Sequence, residues 1–246
     1  MFDVQRHGDG TATVTIDRAD KLNAMDVAFF QQLPRTLDEL DADPDVRACV
    51  LTGAGRAFSA GGDIDSFHAL TDVPAYRRHL RMVFDSFHSV ERAETIVIAA
   101  VNGVAYGGGT ELTLACDMAL ASEKAKFAFK EATMGLMPGF GVLRAPAQIG
   151  PAWARWMATT GDAIDAQTAF RIGLVQQLVE HEHLVEEALA VARRVAAHPP
   201  IAVRSAKHAI NQNITAPGLA GAVEATALLF TTDGHKERVQ AFLERS

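Results

Sequence analysis

Residues 11–17, TATVTID, alternate between apolar and polar positions, which predicts a strand with one face covered. The polar stretch RADKLNAMD follows, and Asp26 is placed to cap a helix to about Leu40 that Pro34 should kink or split. VRACVLT (46–52) and TIVIAAV (95–101) are unbroken runs of apolar and β-branched residues, the pattern of strands covered on both faces. Each leads into a glycine-rich loop, GAGRAFSAGGDID after the first and VAYGGG after the second. A helix from about Pro74 to Arg92 follows the first loop, and an apolar helix ending near Cys116 follows the second. DMALAS and AKFAFKE read as short strands, the chain turns helical after GLMPGFG, and LVQQLVE (174–180) is a last strand set off by Gly173. Beyond it the periodicity is helical over 182–197, 200–211, 218–231 and 234–245.

Strands alternating with helices and then helices alone predict an α/β core with a helical tail. The expected division is 1–190 for the core and 191–246 for the C-terminal helical region. An internal echo of buried strand, glycine-rich loop and helix occurs at 46–90 and again at 95–116. The segment AGAVEATALLF is too apolar to be solvated on all sides, so the tail should pack on the core or on another subunit.

Composition narrows the partners. The 246 residues are 48% hydrophobic and 22% charged, enough apolar material for a core, and the formal net charge of −7 argues against nucleic acid or an anionic membrane as main partner. Cys49 and Cys116 lie in apolar stretches and read as free buried thiols. Neither has a second ligand at zinc spacing, so no metal site is expected. The N-terminus lacks a signal-peptide pattern and no apolar run approaches the ~20 residues a membrane span needs, so a cytoplasmic location is expected.

The two glycine loops carry the candidate chemistry. VLTGAGRAF begins as a dinucleotide fingerprint, but Phe58 occupies the third glycine position and no helix starts there. Neither loop has the Gly-Lys-Ser/Thr of a P-loop. AFSAG places Ser59 among small residues, yet a nucleophile elbow needs the serine on the turn directly after the strand. Glycines serving only close packing fit one such loop better than two, each followed by an acid. The remaining reading is an oxyanion hole, two backbone N–H groups from separate loops converging on one developing negative charge.

AFSAGGDI (57–64) and AAVNGVAYGGGTELTLACD (99–117) closely resemble the crotonase, or enoyl-CoA hydratase/isomerase, family. DKLNAMD (20–26), GLMPGFG (135–141), TTGDAIDAQTAFRIGLV (159–175) and AFLER (241–245) match it in the same order, so the resemblance covers essentially the whole chain. It implies a crotonase-like spiral of ββα units with a C-terminal helical trimerisation region, as a homotrimer or a dimer of trimers. It implies an acyl-CoA thioester substrate and no metal or organic cofactor beyond the coenzyme A that the substrate carries. The oxyanion donors would be the N–H groups of Gly62 and Gly108. Leu22, Asn23, Ala60, Gly62, Asp63 and Ile64 would line coenzyme A, with Phe242 and Arg245 reaching its nucleotide end. Glu111 and Glu131 match the two glutamates of the hydratases in this family, with Glu111 activating water and Glu131 moving the α-carbon proton.

Enoyl-CoA hydratase is therefore the expected activity. The alternatives are a Δ3-Δ2 enoyl-CoA isomerase, another acyl-CoA-processing member, or a non-catalytic CoA-binding scaffold. Asp63 is expected to order its own loop. Lys130 stands where proline is common in hydratases; on a strand its side chain would point away from that of Glu131, but the altered backbone could misplace the acid. Phe140 and Val142 should reshape the acyl-pocket wall, and Arg238 stands where the tail motif usually has glycine. The nine histidines lie outside the matched motifs and read as surface residues.

Overall fold

The structure, a computed structural model, describes residues 1–68, 70, 72–214, 223, 227 and 230–244, apart from the side chains of 213, 214 and 238. Strands β1 (Phe2–Arg6) and β2 (Thr11–Ile16) pair antiparallel, and helix α1 (Val27–Asp41) follows with Asp26 as its cap, accepting from the Phe29 N–H. Pro34 neither ends nor splits α1, which continues to Asp41. The chain then steps between two sheets. β3 (Ala48–Gly53) joins one and β4 (Ala57–Ser59) the other, followed by α2 (Ile64–His68) and α3 (Val73–Arg92). β5 (Ile96–Val101), β6 (Val104–Tyr106) and α4 (Gly108–Ala115) repeat the step, and β7 (Met118–Ser122) with β8 (Lys126–Ala128) begins it again. A 3-10 turn, Glu131–Met134, leads to α5 (Gly141–Thr160), which bends at Gly150 ahead of Pro151. β9 (Ile164–Asp165), α6 (Ala166–Arg171) and β10 (Gln177–Val179) precede α7 (Leu184–Ala196), α8 (Pro200–Ile214) and α9 (Asp233–Leu243).

The result is a six-stranded sheet in the order β1-β2-β3-β5-β7-β10 and a four-stranded sheet in the order β4-β6-β8-β9. Consecutive ββα units put one strand in each sheet, and pairing is parallel except for β1 with β2 and β8 with β9. This is the expected spiral.

The continuous apolar runs of β3 and β5 have the expected cause. Cys49, Leu51, Val97, Ala99 and Val101 face the main core, while Ala48, Val50, Ile96, Ile98 and Ala100 face Leu184, Ala188, Val191 and Ala192 of α7. Burying a side chain such as Leu184 stabilises by about 1.5–3 kcal/mol. Both cysteines are buried and free.

Several elements differ from the sequence reading. β4 and β6 lie inside the stretches read as glycine-rich loops, α2 begins within the first of them, and β1 was not expected. The strand expected over 174–180 is only three residues long, because Leu174 and Val175 bury as loop residues. The division expected at 190/191 falls within α7. Of the helix expected over 218–231, only residues 223, 227, 230 and 231 are described.

Candidate active site

The second glycine loop sets the site. Gly107 adopts φ 50° and ψ −118°, a backbone that glycine tolerates and L side chains resist, and its N–H donates to the Ala128 carbonyl at 2.8 Å. That turn starts α4 at Gly108, so the first-turn N–H groups point away from the helix without intrahelical acceptors. Opposite lies the first loop, held by α1's approach: the Met25 N–H donates to the Gly61 carbonyl and the Asp63 N–H to the Met25 carbonyl, each at 2.8 Å.

The two loops meet. A Cβ built on Gly108 would lie 3.7 Å from the Gly62 nitrogen, and one on Gly61 would lie 3.3 Å from the Gly108 nitrogen. Among the described residues neither the Gly62 nor the Gly108 N–H has a hydrogen-bond partner. Both residues line a cavity of about 170 Å³ that Glu111 and Glu131 also line.

The acids reach this cavity by different routes. Glu111 sits in the first turn of α4, 5% exposed, where the helix dipole favours an anion. Its Oε1 accepts from the Gly141 N–H at 2.8 Å at the start of α5, and the adjacent Phe140 backbone N–H also favours its charged form. Burial nevertheless dominates and pushes Glu111 up to about 7. Glu131 opens the 3-10 turn, and its Oε1 would stand 2.8 Å from a Cβ built on Gly107. Its Oε2 is shielded from solvent and has no hydrogen-bond partner among the described residues. Burial, with the Glu111 charge added, pushes Glu131 up to about 8.

The departures from the family pattern now have locations. Lys130 is not on a strand. It turns out of β8 at φ −81° and ψ −7°, and its Nζ donates to the Gly161 carbonyl at 2.6 Å, over the Tyr106 ring. Phe140 is fully buried outside the cavity lining, with Phe84, Phe87 and His88 around its ring, so it does not form the wall expected of it. The cavity wall comes from Phe30, Phe67, Tyr76, His79, Leu80 and Val83, among others.

The expected coenzyme A residues divide. Ala60, Gly62 and Ile64 line the cavity. Asp63 is buried and its carboxylate takes the Arg18 guanidinium at 2.6 Å, which orders the loop. Leu22 is half-buried in a left-handed turn at φ 51°. Asn23 is fully buried at φ 57°: its Oδ1 accepts from the Arg18 N–H at 3.0 Å, and its Nδ2 donates to the carbonyls of Ala54 and Ala57 at 2.9 and 2.8 Å. Its amide is thus committed to tying the first loop together. Phe242 is exposed on α9, and Arg245 lies outside the described residues.

A buried polar group left unpaired costs about 1–3 kcal/mol. Asn23→Ala orphans several, so it is expected to lower unfolding stability by at least about 2 kcal/mol. Urea denaturation checks this; an unchanged midpoint and slope would contradict the loop-tying role.

Sequence reasoning missed two residues that line the cavity. Tyr76 and His79 line it one turn apart on α3, and Tyr76 stacks on Phe230 at 3.8 Å. His88 and His235 are likewise not surface residues: His88 pairs with Glu91, and His235 is 3% exposed with Nδ1 at 2.7 Å from the Met134 carbonyl. The only available signal was α3's apolar spacing, Tyr76-Leu80-Phe84-Phe87, which puts position 79 on the edge of the same face.

Known proteins are similar to this chain over nearly its whole length. A short-chain-enoyl-CoA hydratase of Clostridium acetobutylicum is 35% identical over 239 residues, covering 95% of this chain and 91% of that protein. A crotonyl-CoA hydratase of Syntrophomonas wolfei is 37% identical over 239 residues, covering 95% and 92%. The crystal structure of an enoyl-CoA hydratase/isomerase from Mycobacterium paratuberculosis superposes with a TM-score of 0.90 at 32% identity, covering 98% of this chain and 97% of that one. The family profile described as enoyl-CoA hydratase/isomerase matches residues 6–246, and with relatives of this similarity over nearly the full length the chain belongs to that family.

Proposed function

We propose that the protein hydrates 2-enoyl-CoA thioesters. The observation that carries this reading is two carboxyls, both raised in pKa, on the same cavity as two unpartnered N–H groups from separate loops. The thioester carbonyl accepts from Gly62 and Gly108. A water held between the acids gives its proton to Glu111 as its oxygen bonds to the β-carbon. The double-bond electrons move onto the carbonyl oxygen, where the two donors stabilise the enolate; in acyl chemistry one such donor contributes about 3–4 kcal/mol. Collapse of the enolate takes a proton from Glu131 at the α-carbon. Return of a proton from Glu111 to Glu131, directly or through solvent, resets the pair.

Burial raises both carboxyls, and the charge on one disfavours ionisation of the other, so the pair can hold a single proton between them and offer one base and one acid. The proposal calls on no metal or organic cofactor beyond the coenzyme A of the substrate. An isomerase needs a single placed acid, so the presence of both on one cavity favours the hydratase. Ala60, Gly62 and Ile64 are proposed to line the coenzyme A. Leu22, whose carbonyl accepts from the Ala60 N–H at 2.9 Å, and Phe242, with Arg245, complete that proposed set. A homotrimer, alone or paired, is proposed with support from the exposed Ile201 and Ile210 on α8, and sedimentation tests it.

The pH dependence follows with a definite sign. At low pH both acids are protonated and no base remains; at high pH both are ionised and no acid remains. The kcat/KM profile for crotonyl-CoA is expected to be a bell with its maximum at about pH 7.5. A profile still rising as pH falls below about 6 would count against the proton-sharing pair.

A further inference from the structure

Behind the cavity wall lies an ionic cluster that the proposed reaction does not use. Arg144, one turn into α5 and 5% exposed, donates from Nε and Nη2 to the two carboxylate oxygens of Glu91 on α3, at 2.5 and 3.0 Å. His88 Nδ1 lies 2.7 Å from Glu91 Oε2. The Arg144 guanidinium lies over the Phe140 ring, 4.9 Å from its centroid, and Phe87 and His88 meet the same ring edge-on. The Phe140 residue clamped in this way directly precedes Gly141, whose N–H donates to the Glu111 Oε1 at 2.8 Å.

We infer that the Arg144–Glu91 pair is a positioning device for Glu111, fixing the start of α5 so that the Gly141 N–H stays aimed at that carboxylate. An apolar pair could fill the same buried space without the desolvation cost of two charges, so stability alone does not account for it. What the pair adds is orientation: a two-point fork fixes the guanidinium plane, and the plane fixes the Phe140 ring. Burial raises the Glu91 carboxyl, but hydrogen bonds from His88 and Arg144 outweigh it and hold it below its ordinary value, so the pair stays charged at neutral pH. This also gives Phe140 a use that the acyl pocket did not.

The consequence for Glu111 has one sign. Donors aimed at a carboxylate stabilise its charged form, so loosening them raises its pKa. The other titratable or charged groups around that carboxyl are Glu131 and Lys130 from the 3-10 turn and Tyr76 and His79 from α3, and the variants below leave all four in place.

The test is a pH titration of Glu111 by NMR in protein labelled with 13C at the glutamate carboxyls, with the signal assigned by its loss in Glu111→Gln. Glu91→Gln and Arg144→Lys are compared with wild type and with Arg204→Ala, which breaks the exposed Arg204–Glu94 pair and leaves the Arg144–Glu91 pair in place. The Glu111 midpoint is expected to rise by about half a unit or more in the first two variants and to stay put in the third. The double variant Glu91→Leu/Arg144→Met leaves no unpaired buried charge and gives the same readout if a single variant does not fold. The kinetic arm rests on the hydratase reading: kcat for crotonyl-CoA should fall about tenfold or more while KM changes less than about threefold. Unmoved midpoints in folded variants would overturn the positioning role. A wild type without hydration would overturn the proposed function instead, and the titration would still decide the role of the pair.

Discussion

Glu111→Gln and Glu131→Gln are each expected to lower kcat for crotonyl-CoA by about a hundredfold or more, since a placed acid or base contributes about 10²–10⁴. The amide preserves the shape, and its oxygen can still accept from the Gly141 N–H that holds Glu111 at 2.8 Å. KM should change little, because the substrate is held by the loops and not by the acids. Stopped-flow loss of the conjugated thioester absorbance measures both constants. A variant that kept a third or more of wild-type kcat would remove its residue from the chemistry.

Stability separates this from misfolding. Glu131 is raised to about 8 in the folded protein from an ordinary value of 4.5, so folding favours its neutral form. The stability that comes from the neutral form is fully present below the ordinary value and is lost as pH rises through about 8. Glu131→Gln cannot ionise and should lose none of it. Its melting temperature should therefore exceed that of wild type above about pH 8 and approach it near about pH 5. An inactive Glu131→Gln protein that melts higher than wild type at alkaline pH has lost chemistry, not structure.

The second large effect comes from one methyl group. Gly108→Ala would put a Cβ 3.3 Å from the Met25 sulfur and 3.7 Å from the Gly62 nitrogen, in the space where the thioester oxygen should sit. The backbone at Gly108 is helical and not left-handed, so alanine fits the chain there and favours the helix by about 1 kcal/mol. Fold should survive while kcat falls by about 10²–10³, the loss seen when one oxyanion donor is removed. Gly62→Ala is the contrast. Its Cβ would meet only the Phe67 ring, at 3.4 and 3.9 Å, and the N–H remains, so activity should stay within about threefold of wild type. Equal losses in the two variants would mean that the glycines serve close packing and not a carbonyl.

Much of this was visible in the chain itself, and the reasons are particular. The two-face burial of 46–52 and 95–101 was readable because a strand between a core and α7 has no polar side. The oxyanion reading rested on Gly107-Gly108-Gly109, whose only other use would be packing. What stayed hidden was short: β4 and β6 are three residues each, flanked by glycines, and their pairing in a second sheet depends on partners far along the chain. Asn23 looked like a ligand residue because it lies in a motif, whereas its amide is used up by backbone groups from two distant strand ends. Phe140 looked like pocket wall, and only tertiary packing shows its ring turned away, towards Arg144. Side-chain direction at a helix start is set by what lies behind it, and sequence spacing does not carry that.

The most direct test of the two-acid account is to incubate the protein with crotonyl-CoA in deuterated, 18O-enriched water and analyse the product by mass spectrometry and NMR. The account predicts a 3-hydroxyacyl product carrying one 18O at the β-carbon and one deuterium at the α-carbon, formed by wild type and by neither glutamine variant. Deuterium entering the acyl chain without 18O would contradict it, showing a site that moves protons along the chain but does not add water.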